Sequence, residues 1–224
     1  MPPQLSRGLV LLALCSLDAL AESARSNHKL PQQEKFVGDS RLGKLQAEEN
    51  RCSECHGIDG NGQSNLAGSL GVFPKLAGQN PDYLWKQFKE FRSDQRHSDI
   101  MSIMARSVDD ADAQNILIYY SSLPKMNGKP SAQAISSIEK LFSLGDTKRG
   151  IAPCVSCHGT NGKGLAEQPT VPIIGGQDKA YLQKQLQDWR SGERKNSPAG
   201  VMNITTKALT EDEIIGLADY LSGL

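Results

Sequence analysis

Apolar residues recur at helical spacing through most of the chain. No stretch alternates apolar and polar positions for long enough to make a convincing strand. The pattern predicts helices over 41–51, 81–92, 109–122, 133–143, 179–190 and 211–223, and an all-α fold. The last helix is the best signposted, because Thr210 and Glu213 form a capping box ahead of its apolar run. The segments 57–71 and 159–176 are rich in Gly, Asn and Pro and read as loops that pass close to something bulky, where side chains would not fit.

The pattern occurs twice, with a period near 100 residues. Pro74, Gln79, Tyr83-Leu84, Phe91-Arg92-Ser93 and Arg96 recur as Pro172, Gln177, Tyr181-Leu182, Trp189-Arg190-Ser191 and Arg194, each pair 98 residues apart. Both copies close with an amphipathic helix. Between them, Pro124 to Ser131 holds two prolines, a glycine and an asparagine, which is linker chemistry. This places one domain over 39–124, a linker over 125–131 and a second domain over 132–224.

A length of 224 residues allows one large or two small domains. Aromatics make up only 5% and the mean hydropathy is −0.43, which is lean for a core built from side chains alone. Acidic and basic residues balance at 25 each, no basic stripe occurs, and nothing argues for nucleic acid. At the N-terminus, Arg7, the apolar run Leu9 to Leu17 and Ala19-Leu20-Ala21 read as an export signal over 1–21, with cleavage before Glu22. A retained membrane anchor is the alternative, although the apolar run is short for a bilayer span. Cys15 falls inside that run, with bulky Leu14 before it arguing against lipoprotein processing. Residues 22–38 carry few signals and read as a poorly ordered leader.

The candidate chemistry lies in one pentapeptide that occurs twice. Cys52-Ser53-Glu54-Cys55-His56 and Cys154-Val155-Ser156-Cys157-His158 both read C-x-x-C-H, the attachment pattern for c-type haem. Two residues between the thiols let one turn of chain span neighbouring pyrrole edges, where the sulfurs form thioethers with the vinyl groups. The histidine that follows then faces the iron as its proximal ligand. A C-x-x-C pair can also be half of a zinc site, but the nearby histidines cannot complete two separate four-ligand sites, although one shared four-cysteine site is conceivable. A thioredoxin-like dithiol needs a strand before the motif, and residues 44–51 read as helix. Two haems would supply the apolar surface that the composition lacks. With four cysteines committed to haem and Cys15 removed, no disulfide is left to form.

An iron with one histidine needs a sixth ligand or stays open. His28 and His97 read as surface residues. Met101, Met104 and Met202 are better placed. Aligning Val108 with Leu209 and Tyr119 with Tyr220 puts Met101 on Met202 and Met104 on Thr205, so Met101 and Met202 become the ligand candidates and Met104 a packing residue. Thioether ligation fills the iron, favours its ferrous state and suits it to moving single electrons.

The two C-x-x-C-H-G motifs, the Pro-x-x-x-Gly-Gln-x-x-x-Tyr-Leu segments, the Phe/Trp-Arg-Ser-x-x-Arg turns and the paired methionines resemble the di-haem class I cytochromes c, cytochrome c4 in particular, from about Gly43 onward. The resemblance implies two tandem class I cytochrome c domains joined face to face, each wrapped around one covalent haem. It implies electron transfer in the periplasm, often beside a terminal oxidase. It also implies that the carbonyls of Pro74 and Pro172 accept the Nδ1 protons of His56 and His158. Weaker candidates are Tyr83 and Tyr181 at a propionate, the domain interface or the core, Arg92, Arg190, Arg96 and Arg194 at propionates or in solvent, and Gln79 and Gln177 at the haem edge. The leader is longer than the family pattern, and the loop before Met101 is shorter than the one before Met202.

The leading expectation is a carrier between a quinol-oxidising complex or dehydrogenase and a terminal oxidase or reductase, free in the periplasm or peripherally bound to the membrane. The alternatives are the cytochrome subunit of a dehydrogenase, such as flavocytochrome c sulfide dehydrogenase, and a haem peroxidase or thiosulfate-oxidising cytochrome. The last group needs an open or unusually ligated iron, which carbon monoxide or cyanide would reveal.

Overall fold

The computed structural model describes residues 37–62, 72–128 and 136–224. The segments read as an export signal and, up to residue 36, as a leader, together with parts of the loop at 57–71 and of the expected linker, lie outside the described residues. Among the described residues the regular elements are helices, joined by one isolated antiparallel bridge between Asp146 and Ile151. No described helix is long and apolar enough to cross a membrane.

The N-terminal half contains α1 (Ser40–Glu49), α2 (Cys52–His56), α3 (Pro81–Arg92), α4 (Asp99–Ser107) and α5 (Asp110–Ser122). The C-terminal half contains α6 (Ser136–Leu144), α7 (Val155–His158), α8 (Lys179–Ser191), α9 (Val201–Lys207) and α10 (Glu211–Ser222). The long helices match the periodicity closely. Helices α2, α4, α7 and α9 are additions to it. Helices α2, α7 and α9, at four to seven residues, are too short to produce a periodic signal, whereas α4 is as long as α6 and was missed for another reason.

Side-chain caps fix where several helices start. Asp39 accepts the amides of Arg41 and Leu42, Asp109 that of Asp112, and Asp178 that of Tyr181. The Thr210–Glu213 capping box is present in both directions. In the N-terminal half α1 crosses α5 at Gly43, where a Cβ would stand 2.0 Å from the Asn115 carbonyl oxygen. Ala47, Leu84, Ile116, Leu117 and Tyr120 fill the core there. The C-terminal half packs α10 on α6 and α8 through Ile138, Phe142, Leu182, Ile214, Leu217 and Leu221. Each such side chain contributes about 1.5–3 kcal/mol when fully removed from water.

The two halves pack into one body. The segment read as a linker is a packed strap over its described part. Met126 is 1% exposed, and the Gly128 amide donates to the Leu224 carbonyl at 2.8 Å.

Candidate functional site

Each C-x-x-C-H sequence winds into a single helical turn that ends on its histidine. Gly57 and Gly159 then leave the turn with φ of 76° and 74°, a region that a side chain disfavours. At Gly159 a Cβ would also lie 2.4 Å from the Gly164 carbonyl oxygen. The glycine after each motif is therefore required by the backbone. Cys52, Cys55, Cys154 and Cys157 are all half-buried free thiols.

His56 and His158 are buried. His56 Nδ1 lies 2.9 Å from the Pro74 carbonyl oxygen, and His158 Nδ1 lies 2.9 Å from that of Pro172. A carbonyl can only accept, so Nδ1 carries the proton and Nε2 keeps its lone pair. Burial outweighs the carbonyl bond and holds both rings below the usual imidazole range. A neutral, oriented imidazole in each half is what a metal needs from a histidine.

The methionines sit on α4 and α9, segments the sequence left outside its helices. The Ser98 hydroxyl accepts the Met101 amide at 3.3 Å, and the Ser197 hydroxyl accepts the Met202 amide at 3.2 Å. Ser98 lies three residues before its methionine and Ser197 five. The turn Pro198–Gly200, with Ala199 and Gly200 at φ of 50° and 68°, takes up the difference. The unequal loops thus converge on the same local arrangement. Met104, one turn further along α4, is half-buried.

Arg92 and Arg190 are half-buried, and their guanidinium groups are held by backbone carbonyls and a carboxylate. Arg92 donates to the carbonyls of Ala105 at 2.8 Å and Val108 at 2.7 Å, and pairs with Asp110. Arg190 donates to the Leu209 carbonyl at 3.3 Å and pairs with Glu211. Each arginine ties the end of the methionine helix to the start of the terminal helix. The sequence missed this because the partners are backbone carbonyls on a distant turn.

Arg96 and Arg194 behave differently. Both are 8% exposed and lie between the halves. Arg96 donates to Gln87 Oε1, Gln185 Oε1 and the Tyr181 hydroxyl, each at 2.8 Å. Arg194 answers with Gln185 Oε1 at 2.6 Å, Gln87 Oε1 at 2.9 Å and the Tyr83 hydroxyl at 3.3 Å. Tyr83 and Tyr181 are therefore interface residues. Among the described residues neither guanidinium has a carboxylate partner. Two buried like charges without a counter-charge are costly, and the propionates of two haems are the chemistry that would balance them.

Gln79 and Gln177 also bridge the halves. Gln79 donates to the Ile173 carbonyl at 2.8 Å and accepts the Ile173 amide at 2.8 Å. Gln177 donates to the Lys75 carbonyl at 2.9 Å and accepts the Lys75 amide at 2.7 Å. The sequence suggested the haem edge for both. Their hydrogen bonds go to the opposite half. Beside them, Lys75 Nζ donates to the Gly176 carbonyl at 2.7 Å, and Lys163 Nζ donates to the carbonyls of Met126 at 2.9 Å and Gly175 at 3.1 Å.

Among the described residues the Tyr120 hydroxyl is buried with no hydrogen-bond partner, and its ring meets that of His56 edge-on at 6.5 Å. Paired thiols, a buried neutral imidazole, an uncompensated arginine pair and an orphaned phenol all fit haem.

A duplicated all-helical fold with these two centres defines a di-haem c-type electron-transfer protein. The sequence model of the cytochrome c family matches residues 40–124 and again 147–224, and the chain belongs to that family. It is 31% identical to cytochrome c4 of Thiocapsa roseopersicina, over 84% of this chain and 94% of that one. It is 33% identical to the thiosulfate dehydrogenase electron acceptor of Thiomonas intermedia, over 76% of this chain and 77% of that one. Among solved structures, reduced recombinant cytochrome c4 from Pseudomonas stutzeri superposes with a TM-score of 0.75 at 32% identity, covering 84% of this chain and all of that one. The protein carries two covalently bound haem c groups and is an electron carrier, not an enzyme.

Proposed function

We propose that the protein shuttles single electrons in the periplasm from a dehydrogenase or quinol-oxidising complex to a terminal oxidase or reductase. In this reading Cys52 and Cys55 hold one haem and Cys154 and Cys157 the other. His56 with Met101, and His158 with Met202, are the axial ligands. Pro74 and Pro172 orient the histidines, and the domains are 39–124 and 132–224.

The bound haem supplies a one-electron couple at its iron. The chain's own residues keep that couple free of other chemistry. The carbonyl bonds on His56 and His158 fix each ring and raise its basicity. Met101 and Met202, their amides held by Ser98 and Ser197, would supply the second protein ligand to each iron and so keep oxygen and peroxide from binding. Arg96 and Arg194 place positive charge between the two centres.

The observation that carries the reading is the occurrence, in both halves, of the same histidine-to-proline carbonyl bond and the same serine-to-methionine amide bond. Oxidised and reduced absorption spectra, with haem counted per chain, test it. Two haems, low-spin in both states and with the near-red methionine-to-iron band, are expected. One haem or a persistent high-spin fraction would overturn it.

The second reading makes the protein the dedicated acceptor of one dehydrogenase. The relative from Thiomonas intermedia supports it by name. A stable complex with a dehydrogenase on purification would favour this reading over a free carrier.

A further inference from the structure

The cross-half glutamines touch the axial histidines through a single peptide group. The Pro74 carbonyl that accepts from His56 and the Lys75 amide that donates to Gln177 belong to the same peptide unit. The Pro172 carbonyl that accepts from His158 and the Ile173 amide that donates to Gln79 likewise share one peptide. Each imidazole is therefore the far end of a hydrogen-bonded chain that begins in the other half.

Both glutamines are 4% exposed, and their orientation is fixed. Gln79 Oε1 also accepts the Asn80 amide at 2.9 Å, and Gln177 Oε1 the Asp178 amide at 2.9 Å. The oxygen therefore faces the amides, while the nitrogen donates to the opposite carbonyl. Gln177 Nε2 meets the Met126 sulfur at 3.6 Å as well.

We propose that Gln177 and Gln79 are positioning residues that set the potential of the haem in the opposite half: Gln177 acts on the haem of Cys52 and Cys55, and Gln79 on that of Cys154 and Cys157. The physical route is polarisation. An amide whose N–H donates to Gln Oε1 has more negative charge on its carbonyl oxygen, because hydrogen bonds in series strengthen one another. A stronger carbonyl acceptor draws the histidine Nδ1 proton and makes the ring a better donor to iron. A better donor favours the ferric state and lowers the potential. The crossing follows from the fold, since neither glutamine bonds to the proline peptide of its own half.

The inference rests on His56 and His158 being the iron ligands. A low-spin six-coordinate spectrum of each variant reports that assignment separately from the potential. The experiment measures both midpoint potentials of the intact di-haem protein by spectroelectrochemistry, with each haem assigned from its paramagnetic NMR signals. Gln177→Met removes the amide acceptor at nearly constant length. It is expected to raise the potential of the N-terminal haem and leave the other in place, and Gln79→Met to do the reverse. Gln177→Glu keeps and strengthens the acceptor and is expected to lower the N-terminal potential. A shift confined to the haem of the substituted half, a parallel shift of both haems in all three variants, or no shift overturns the proposal.

Discussion

Ser98 holds Met101 through the backbone: its hydroxyl accepts the Met101 amide at 3.3 Å and so sets the start of α4. The Ser197 hydroxyl likewise accepts the Met202 amide, from two residues further back, although the N-cap of α9 is Gly200. Met101→Leu and Met202→Leu should each remove about half of the near-red methionine-to-iron band, while Met104→Leu, three residues on in α4, should leave it intact. Absorption spectra of the three oxidised variants make the comparison. Loss of the band in Met104→Leu would reassign the ligand.

Arg92 and Arg190 bolt the methionine helices to the terminal helices. Their guanidinium bonds to buried carbonyls are of the charge-assisted kind, worth about 1.5–3 kcal/mol when removed. Arg92→Gln should lower the urea midpoint and make the near-red band disappear before the helical signal does. Loss of both together would mean that the bolt serves the whole half and not the methionine helix.

The haem signatures were legible in the sequence, whereas the close crossing at Gly43 was not. Cys52 to His56 names its chemistry by spacing alone, and so does its second copy. Long helices such as α3 and α10 were legible because periodicity accumulates over three turns. Helices α4 and α9 were not, although Ser98 followed by Asp99 in the first turn was a usable start signal. The arginines could not be sorted from sequence, because Arg92 and Arg96 differ only in what the tertiary fold brings to them. Gln79 and Gln177 were conspicuous as repeats, yet contacts to another half leave no trace in local pattern. Gly43 lies inside the helix expected over 41–51, and only the crossing of α5 explains why that position has no side chain.

Gly43→Ala puts a methyl group into the Asn115 backbone, where 2.0 Å is available. Neither side is a flexible side chain, so α1 must lift from α5. Overpacking of this kind costs about 1–3 kcal/mol or more. Chemical denaturation of the intact protein should show the loss, while Gly150→Ala, where nothing lies within 4 Å of the added carbon, should show only the smaller cost of its left-handed backbone.

Removing Arg96 takes positive charge from between the centres. Arg96→Met should lower both potentials, because a nearby cation opposes the extra positive charge of ferric iron. Potentiometric titration checks the sign. A rise, or a shift in one haem alone, would contradict the placement of Arg96 between the two.

His97 sits between two carboxylates, with Nδ1 3.0 Å from Asp94 and Nε2 3.1 Å from Asp99. Asp94 first, then Asp99, raises its pKa above the ordinary 6.5. Its contribution to stability is fully present below that ordinary value and is lost as pH rises through the elevated one. Arg106 adds positive charge beside Asp94. The pH slope of stability in this window should flatten in His97→Gln, and an NMR titration of the ring should give the raised value directly.

The reciprocal glutamine and arginine contacts amount to an interface of the kind two identical subunits make, built inside one polypeptide. A pair of separate subunits would part as the surrounding fluid diluted them. Here the tether through Lys125–Gly128 keeps each half at an effective concentration on the order of millimolar or above relative to the other. The electronic conversation between the two centres is therefore independent of how much protein the cell makes.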